Sequence, residues 1–168
     1  MRPTLFLDVD GVVSPFHEPP DTWGDWTRAR GGGFCQLSRR MGDALAALPA
    51  RRMWLTTWEE AANEIICPAL GWEPLPVVDR RMVPENPWWK LNAIIRFLEV
   101  NGGPFIWVDD DIATEEHVHG SLANYARDIP HLVISPDTAT GITPEMVDYM
   151  AKFLAELGDT ESPSEAAG

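Results

Sequence analysis

Short apolar runs alternate along the chain with longer segments of helical periodicity. Thr4 to Asp8 is apolar, too short for a helix, and closes on acid, so it reads as a buried strand. Met53–Thr57, Leu75–Val78, Phe105–Val108 and Leu132–Ser135 read as strands in the same way. Between them, residues 36–48 place Leu37, Met41, Ala44, Leu45 and Leu48 at helical spacing, and Pro49 stops the helix. Residues 59–70 are helical as far as Pro68. Residues 88–100 set Leu91, Ile94, Ile95 and Leu98 on one face, and Asn101-Gly102-Gly103 follows as a C-cap. Residues 113–127 carry a weaker helical pattern. A last helix over 144–157 opens on Thr143-Pro144 and ends at Gly158.

Strands alternating with helices predict βαβ units and an α/β domain around a central parallel sheet. In such folds ligands gather at the carboxyl ends of the strands. Residues 14–34 are rich in proline and glycine (Pro15, Pro19, Pro20, Gly24, Gly31 to Gly33) and read as a long loop or small flap. A loop of that length in a compact domain is usually functional. We expect a single domain over 1–158, with 14–34 as its insert and 159–168 as a disordered acidic tail.

Composition narrows the function. A chain of 168 residues suits one domain, and 45% hydrophobic with 23% charged residues suits a folded, soluble one. Thirteen Lys and Arg against 26 Asp and Glu give a net charge of -13. That argues against a broad footprint on duplex nucleic acid or anionic lipid, which rests on clustered cations. A single terminal phosphate in a pocket stays compatible with it. No apolar run approaches the ~20 residues that span a bilayer, and the N-terminus meets acid too early for a secretory signal. Cys35 and Cys67 make no disulfide framework, so we expect reduced thiols and a cytoplasmic protein.

The acids fall where strands end: Asp8 and Asp10 after the first, Asp109 to Asp111 after the fourth, with Thr56 and Thr57 closing the second. In Asp8-Val9-Asp10-Gly11, extended residues i and i+2 share a face, and the glycine allows a sharp turn. Close carboxylates repel and call for a cation or a proton. With Asp109 and Asp110 from a second strand end they form a hard-oxygen site that suits Mg²⁺, which keeps waters and phosphate oxygens beside one or two carboxylates. A calcium loop of the EF-hand type fails, because Val12 and Val13 follow the glycine and a strand precedes it. A response-regulator receiver fails because Lys90 comes before the fourth strand instead of after the last.

Asp8-Val-Asp-Gly-Val-Val, Trp54-Leu-Thr-Thr-Trp58, Trp88-Trp-Lys90 and Ile106-Trp-Val-Asp-Asp-Asp111, in that order, resemble the four motifs of the haloacid dehalogenase-like (HAD) superfamily. More narrowly, they resemble the small HAD domains associated with RNA-repair proteins, over roughly residues 4–137. The resemblance implies a Rossmann-like three-layer domain with a small flap and no large cap. It implies a Mg²⁺-dependent phosphatase that hydrolyses a phosphomonoester through an aspartyl-phosphate, on a small molecule or a nucleic-acid end. Asp8 matches the nucleophile, and Asp10 the general acid/base, whose backbone carbonyl also meets the metal. Thr56 matches the hydroxyl that holds the phosphoryl group, and Lys90 the cation beside it. Asp109 matches the main acidic metal ligand, with Asp110 next to it. The chemistry supports these roles: a carboxylate meets a phosphoryl anion only where a metal and a lysine offset the charge.

Other signals stay open at the level of sequence. Strand alternation lets only one of Thr56 and Thr57 face the site; the motif favours Thr56, while Thr57 could reach phosphate from the turn. Asp111 reads as a helix cap. His117 and His119 are spaced i,i+2 on a helix and do not share a face. Trp58 is a candidate for contact with substrate. Trp23 and Trp26, near Arg28 and Arg30, could stack on a base or sugar, or could equally pack the flap itself. The rival function is a non-catalytic domain that binds a phospholigand or a protein.

Overall fold

The computed structural model describes residues 1–17, 21–30, 35–82, 88–112 and 116–160. Four parallel strands form the central sheet: β1 Thr4–Leu7, β4 Arg51–Trp54, β5 Phe105–Val108 and β6 His131–Ile134, in the order β4-β1-β5-β6. Two further short strands, β2 Trp26–Arg28 and β3 Gln36–Ser38, pair antiparallel as a separate hairpin. The helices are α1 Arg39–Ala47, α2 Cys67–Leu70, α3 Trp89–Asn101, α4 Glu116–Tyr125 and α5 Pro144–Thr160. Together they make a small Rossmann-like α/β domain.

Period-two alternation in the strands builds the layers. Leu5, Leu7, Ile106 and Val108 face one core with Met41 and Leu45 of α1, Leu70 of α2 and Met150 and Leu154 of α5. Phe6, Met53, Phe105 and Trp107 face the other, against Leu91, Ile94 and Leu98 of α3 and Val118 and Leu122 of α4. β1 and β5 are buried along their whole length, as central strands of a parallel sheet must be. Among the described residues no helix is long and apolar enough to cross a membrane.

Three expectations need correction. The helix expected from Gln36 begins at Arg39, because Gln36–Ser38 is taken into the hairpin and Ser38 caps the helix, its hydroxyl accepting from the Met41 N–H at 3.1 Å. The segment 75–78 is not a strand of the sheet; it meets β4 only through a single bridge, Trp54 to Val77. Pro74 and Pro76 have no N–H to donate. Asn63 also takes the backbone groups of Leu75, its Oδ1 accepting from the Leu75 N–H at 2.8 Å and its Nδ2 donating to the Leu75 carbonyl at 2.9 Å. Pro68, finally, does not end the second helix. A π-helical turn over Ala62–Ile66 precedes it, the Cys67 N–H reaching back to the Ala62 carbonyl, and the proline falls in the first turn of α2. The final helix likewise runs past Gly158 to Thr160, and residues 161–168 of the expected tail lie outside the described residues.

Candidate active site

β1 and β5 are neighbours in register, Leu7 opposite Val108, so the residues that follow them, Asp8 and Asp109, leave the sheet side by side. The Asp8 N–H donates to the Val108 carbonyl at 3.2 Å, and the Asp109 N–H donates to the Ile134 carbonyl at 3.1 Å, which extends the ladder under both acids. Both are buried, at 6% and 1% exposure. Lys90 comes from the first turn of α3 and spans them. Its ammonium donates to Asp8 Oδ2, and to Asp109 Oδ2 at 2.6 Å. Asp8 Oδ1 accepts from the Val9 N–H at 2.7 Å.

Behind β5 the chain turns at once into a 3₁₀ turn, Asp110–Ile112. This turn, not strand alternation, sets the direction of Asp110 and swings its carboxylate toward the other two. One oxygen each from Asp8, Asp109 and Asp110 lies within 4.8 Å of the rest. Thr138 donates to Asp110 Oδ2 at 2.9 Å, and Ser135 donates to the Asp110 carbonyl at 2.9 Å. The approach depends on Gly11. At φ +65° it occupies the left-handed region, and a Cβ there would collide with the Asp110 carboxylate.

The electrostatics follow from this crowding. Burial raises the Asp109 carboxyl, Lys90 draws it down, Asp8 raises it again, and the balance leaves it pushed up to about 6. Asp110 is also raised, chiefly by burial. Burial works against the Lys90 charge, but the Asp8 and Asp109 carboxylates outweigh it and hold the ammonium above the ordinary lysine value. Three hard-oxygen donors, with excess negative charge and room for waters in the adjoining cleft, fit Mg²⁺.

Asp10 stands apart from this trio. Its Oδ2 accepts a hydrogen bond from the Trp58 indole Nε1 at 2.8 Å. Trp58, expected to touch substrate, instead positions an acid. Asp10 nonetheless lines the same cleft as Asp8, Lys90 and Asp109 to Asp111. β4 ends at Trp54, so Thr56 and Thr57 lie on a turn where strand alternation no longer applies. Thr56 is 1% exposed and its Oγ1 accepts from the Trp58 N–H at 3.3 Å, whereas Thr57 lines the cleft. Asp111 lines the cleft too; it does not cap α4, which begins at Glu116.

Trp23 and Trp26 are not brought to the cleft. Both pack partly buried against the core, and the Trp23 indole donates to the Ile142 carbonyl at 2.8 Å. Phe16 and Trp88, which do line the cleft, had no sequence signal beyond apolar character next to a motif.

Acids after neighbouring parallel strands, a lysine between them and a hydroxyl-bearing turn after a third strand define a HAD-type hydrolase domain. The sequence model of the family described as the HAD domain in Swiss Army Knife RNA repair proteins matches residues 4–147, and the chain belongs to that family. Comparison with curated proteins and with solved structures gave no match.

Proposed function

We propose that the domain is a Mg²⁺-dependent phosphomonoesterase that works through an aspartyl-phosphate on Asp8. The observation that carries this reading is the Lys90 bridge between Asp8 and Asp109, with Asp110 beside them and Asp10 two residues from Asp8 in the same cleft.

Asp8 lines the cleft, its Oδ1 held by the Val9 N–H and its Oδ2 by the Lys90 ammonium. It attacks phosphorus as the ester P–O bond breaks, and Asp10 gives its proton to the departing oxygen. Asp10, now ionised, takes a proton from water. The water oxygen attacks phosphorus, the P–O bond to Asp8 breaks, and phosphate and free carboxylate return. Lys90 offsets the charge of the equatorial oxygens, and Thr57, which lines the cleft, supplies a hydroxyl for one of them. Mg²⁺ held by Asp8, Asp109 and Asp110 would screen the nucleophile from the phosphoryl dianion.

Asp8→Asn tests the reading, because the amide keeps the shape and loses the nucleophile. With Mg²⁺ and 4-nitrophenyl phosphate, the variant should fall to background turnover with an unchanged circular dichroism spectrum, while acid-quenched wild type should carry a phosphoryl group on Asp8. Wild-type turnover by a verified, non-deamidated variant overturns the mechanism.

A further inference from the structure

The cleft over the carboxylates holds about 320 Å³, the low end for a small-molecule site. Its floor is charged and its walls are aromatic. Phe16 stands at the mouth with 58% of its surface open, fixed through its backbone N–H to the Thr138 carbonyl at 3.1 Å. Trp88 forms part of the same lining, half-buried, with its ring 5.5 Å from that of His117. A large apolar ring left this exposed beside an acidic site is a surface for a flat ligand group.

The charge count limits that ligand. Among the described residues Lys90 is the one basic side chain lining the cleft, against five aspartates: Asp8, Asp10, Asp109, Asp110 and Asp111. The segments outside the described residues contain neither Lys nor Arg, so they bring no second cation. Arg80 faces the Trp89 ring at 5.5 Å and does not line the cleft. Lys90 and one Mg²⁺ offset a single phosphoryl group. A second phosphate on the substrate would lie against Asp10 or Asp111 with no counter-charge, and like charges at close range are strongly disfavoured.

Resting on the phosphomonoesterase reading and narrowing it, we infer that the substrate is a monophosphate whose leaving group carries one flat, uncharged ring that stacks on Phe16 and Trp88. A nucleoside monophosphate or an aryl phosphate has this chemistry; a bisphosphate, a polyphosphate or the phosphorylated end of a strand does not.

The test compares kcat/KM, with Mg²⁺, for adenosine 5′-monophosphate, 4-methylumbelliferyl phosphate, glycerol 3-phosphate, adenosine 3′,5′-bisphosphate and a 5′-phosphorylated trinucleotide. At least one of the first two should exceed glycerol 3-phosphate by about tenfold or more, the scale of one stacking contact, and which of them leads tells a nucleoside from a simple aryl source. The bisphosphate and trinucleotide should fall about tenfold or more below adenosine monophosphate. Phe16→Ala should raise KM about fivefold or more for the preferred ring-bearing monophosphate and leave glycerol 3-phosphate unchanged. Asp111→Asn should narrow the gap to the bisphosphate. Equal or better turnover of the bisphosphate or trinucleotide overturns the inference, and so does an equal Phe16→Ala loss on glycerol 3-phosphate. Calorimetric titration of both adenosine nucleotides into the Asp8→Asn protein with Mg²⁺ reads the same discrimination without turnover. Tighter monophosphate binding there, with an inactive wild type, would uphold the cleft inference and overturn hydrolysis; no preference there overturns the inference whatever the activity.

Discussion

The indole Nε1 of Trp58 donates to Oδ2 of Asp10 at 2.8 Å. An indole N–H can only donate, so Oδ2 is held as its acceptor. In the proposed reaction that would leave Oδ1 to serve the leaving group, and Trp58 would fix which face of the carboxyl acts. The backbone helps, because the Trp58 N–H is itself tied to Thr56 Oγ1.

Trp58→Phe keeps the ring and removes the donor. On an alkyl phosphate, whose departing oxygen needs a proton, kcat should fall by about tenfold or more, within the range of a general acid contribution. On 2,4-dinitrophenyl phosphate, whose leaving group departs without one, it should change little. Combined with Asp10→Asn, the substitution should add almost nothing, since both act on one proton. Equal losses on the two esters would point to damage of the fold instead.

The trio of carboxylates predicts stabilisation by metal. Mg²⁺ held at the proposed site would favour the folded chain, so a concentration near a hundred times Kd should add about 2.7 kcal/mol and raise Tm. Asp110→Ala should remove most of that rise, because its oxygen belongs to the trio, and Asp111→Ala should keep it. Identical wild-type melting in chelator and in excess Mg²⁺ would remove the metal site from the account.

Gly11→Ala is a backbone test of the same site. The left-handed φ of +65° and the contact with Asp110 both oppose a methyl group. A loss of about 1–3 kcal/mol is expected from the strained backbone alone. Asp110 must also move, so the Mg²⁺-induced rise in Tm should shrink. A stable Gly11→Ala protein with full Mg²⁺ response would show that Asp110 is not held where the site needs it.

Asn63 takes the place of a strand. Its amide satisfies both the N–H and the C=O of Leu75 and accepts from the Trp54 indole at 3.1 Å. Asn63→Ala would strand these groups at about 1–3 kcal/mol each where they stay dry. Urea denaturation should show a fall of about 2 kcal/mol or more. Amide exchange should quicken at Leu75.

Asp25 sets the behaviour of the hairpin in acid. It accepts from the Ser38 hydroxyl and from the Arg40 N–H at 2.9 Å, locking the loop before β2 to the start of α1. Burial raises its carboxyl slightly, but these donors and the Arg40 charge outweigh it and hold the group below the usual aspartate value. A depressed carboxyl stabilises the fold at pH values above its unfolded pKa. That contribution disappears as pH falls through the folded value, so the window lies below about pH 4. Wild type should therefore lose stability relative to Asp25→Asn across that window, as read by chemical denaturation at pH 6 and pH 3.

Much of the site was legible because its geometry is written in strand ends. Asp8, Asp10, Lys90 and Asp109 could be placed from four apolar runs and their closing residues, and β1, β5 and β6 stand where alternation put them. The failures share a cause: side chains that stand in for backbone, and turns that reset direction. Nothing in the apolar run Leu75 to Val78 announced that Asn63, twelve residues earlier, would occupy its hydrogen bonds. Alternation misjudged Asp110 and the two threonines because their strands had already ended. Trp23 and Trp58 were read as ligand-facing aromatics because periodicity says nothing about what an indole N–H will find.

The position of β1 also bears on how the chain reaches its final form. β1 is the first strand made, yet it lies between β4 and β5, and Thr4 pairs with Arg51 on one side and with Phe105 on the other. Its second neighbour is synthesised only after most of the chain, and pairing across so long a separation is slow to close. Until β5 docks, Asp8 has no Asp109 beside it and Lys90 has only half its bridge. The site is therefore assembled late, and a nascent or truncated chain that ends before Phe105 can hold a folded hairpin and helix α1 with no chemistry at all. Gain of activity during refolding should lag behind gain of helix signal, which makes the enzyme its own reporter of the last strand to arrive.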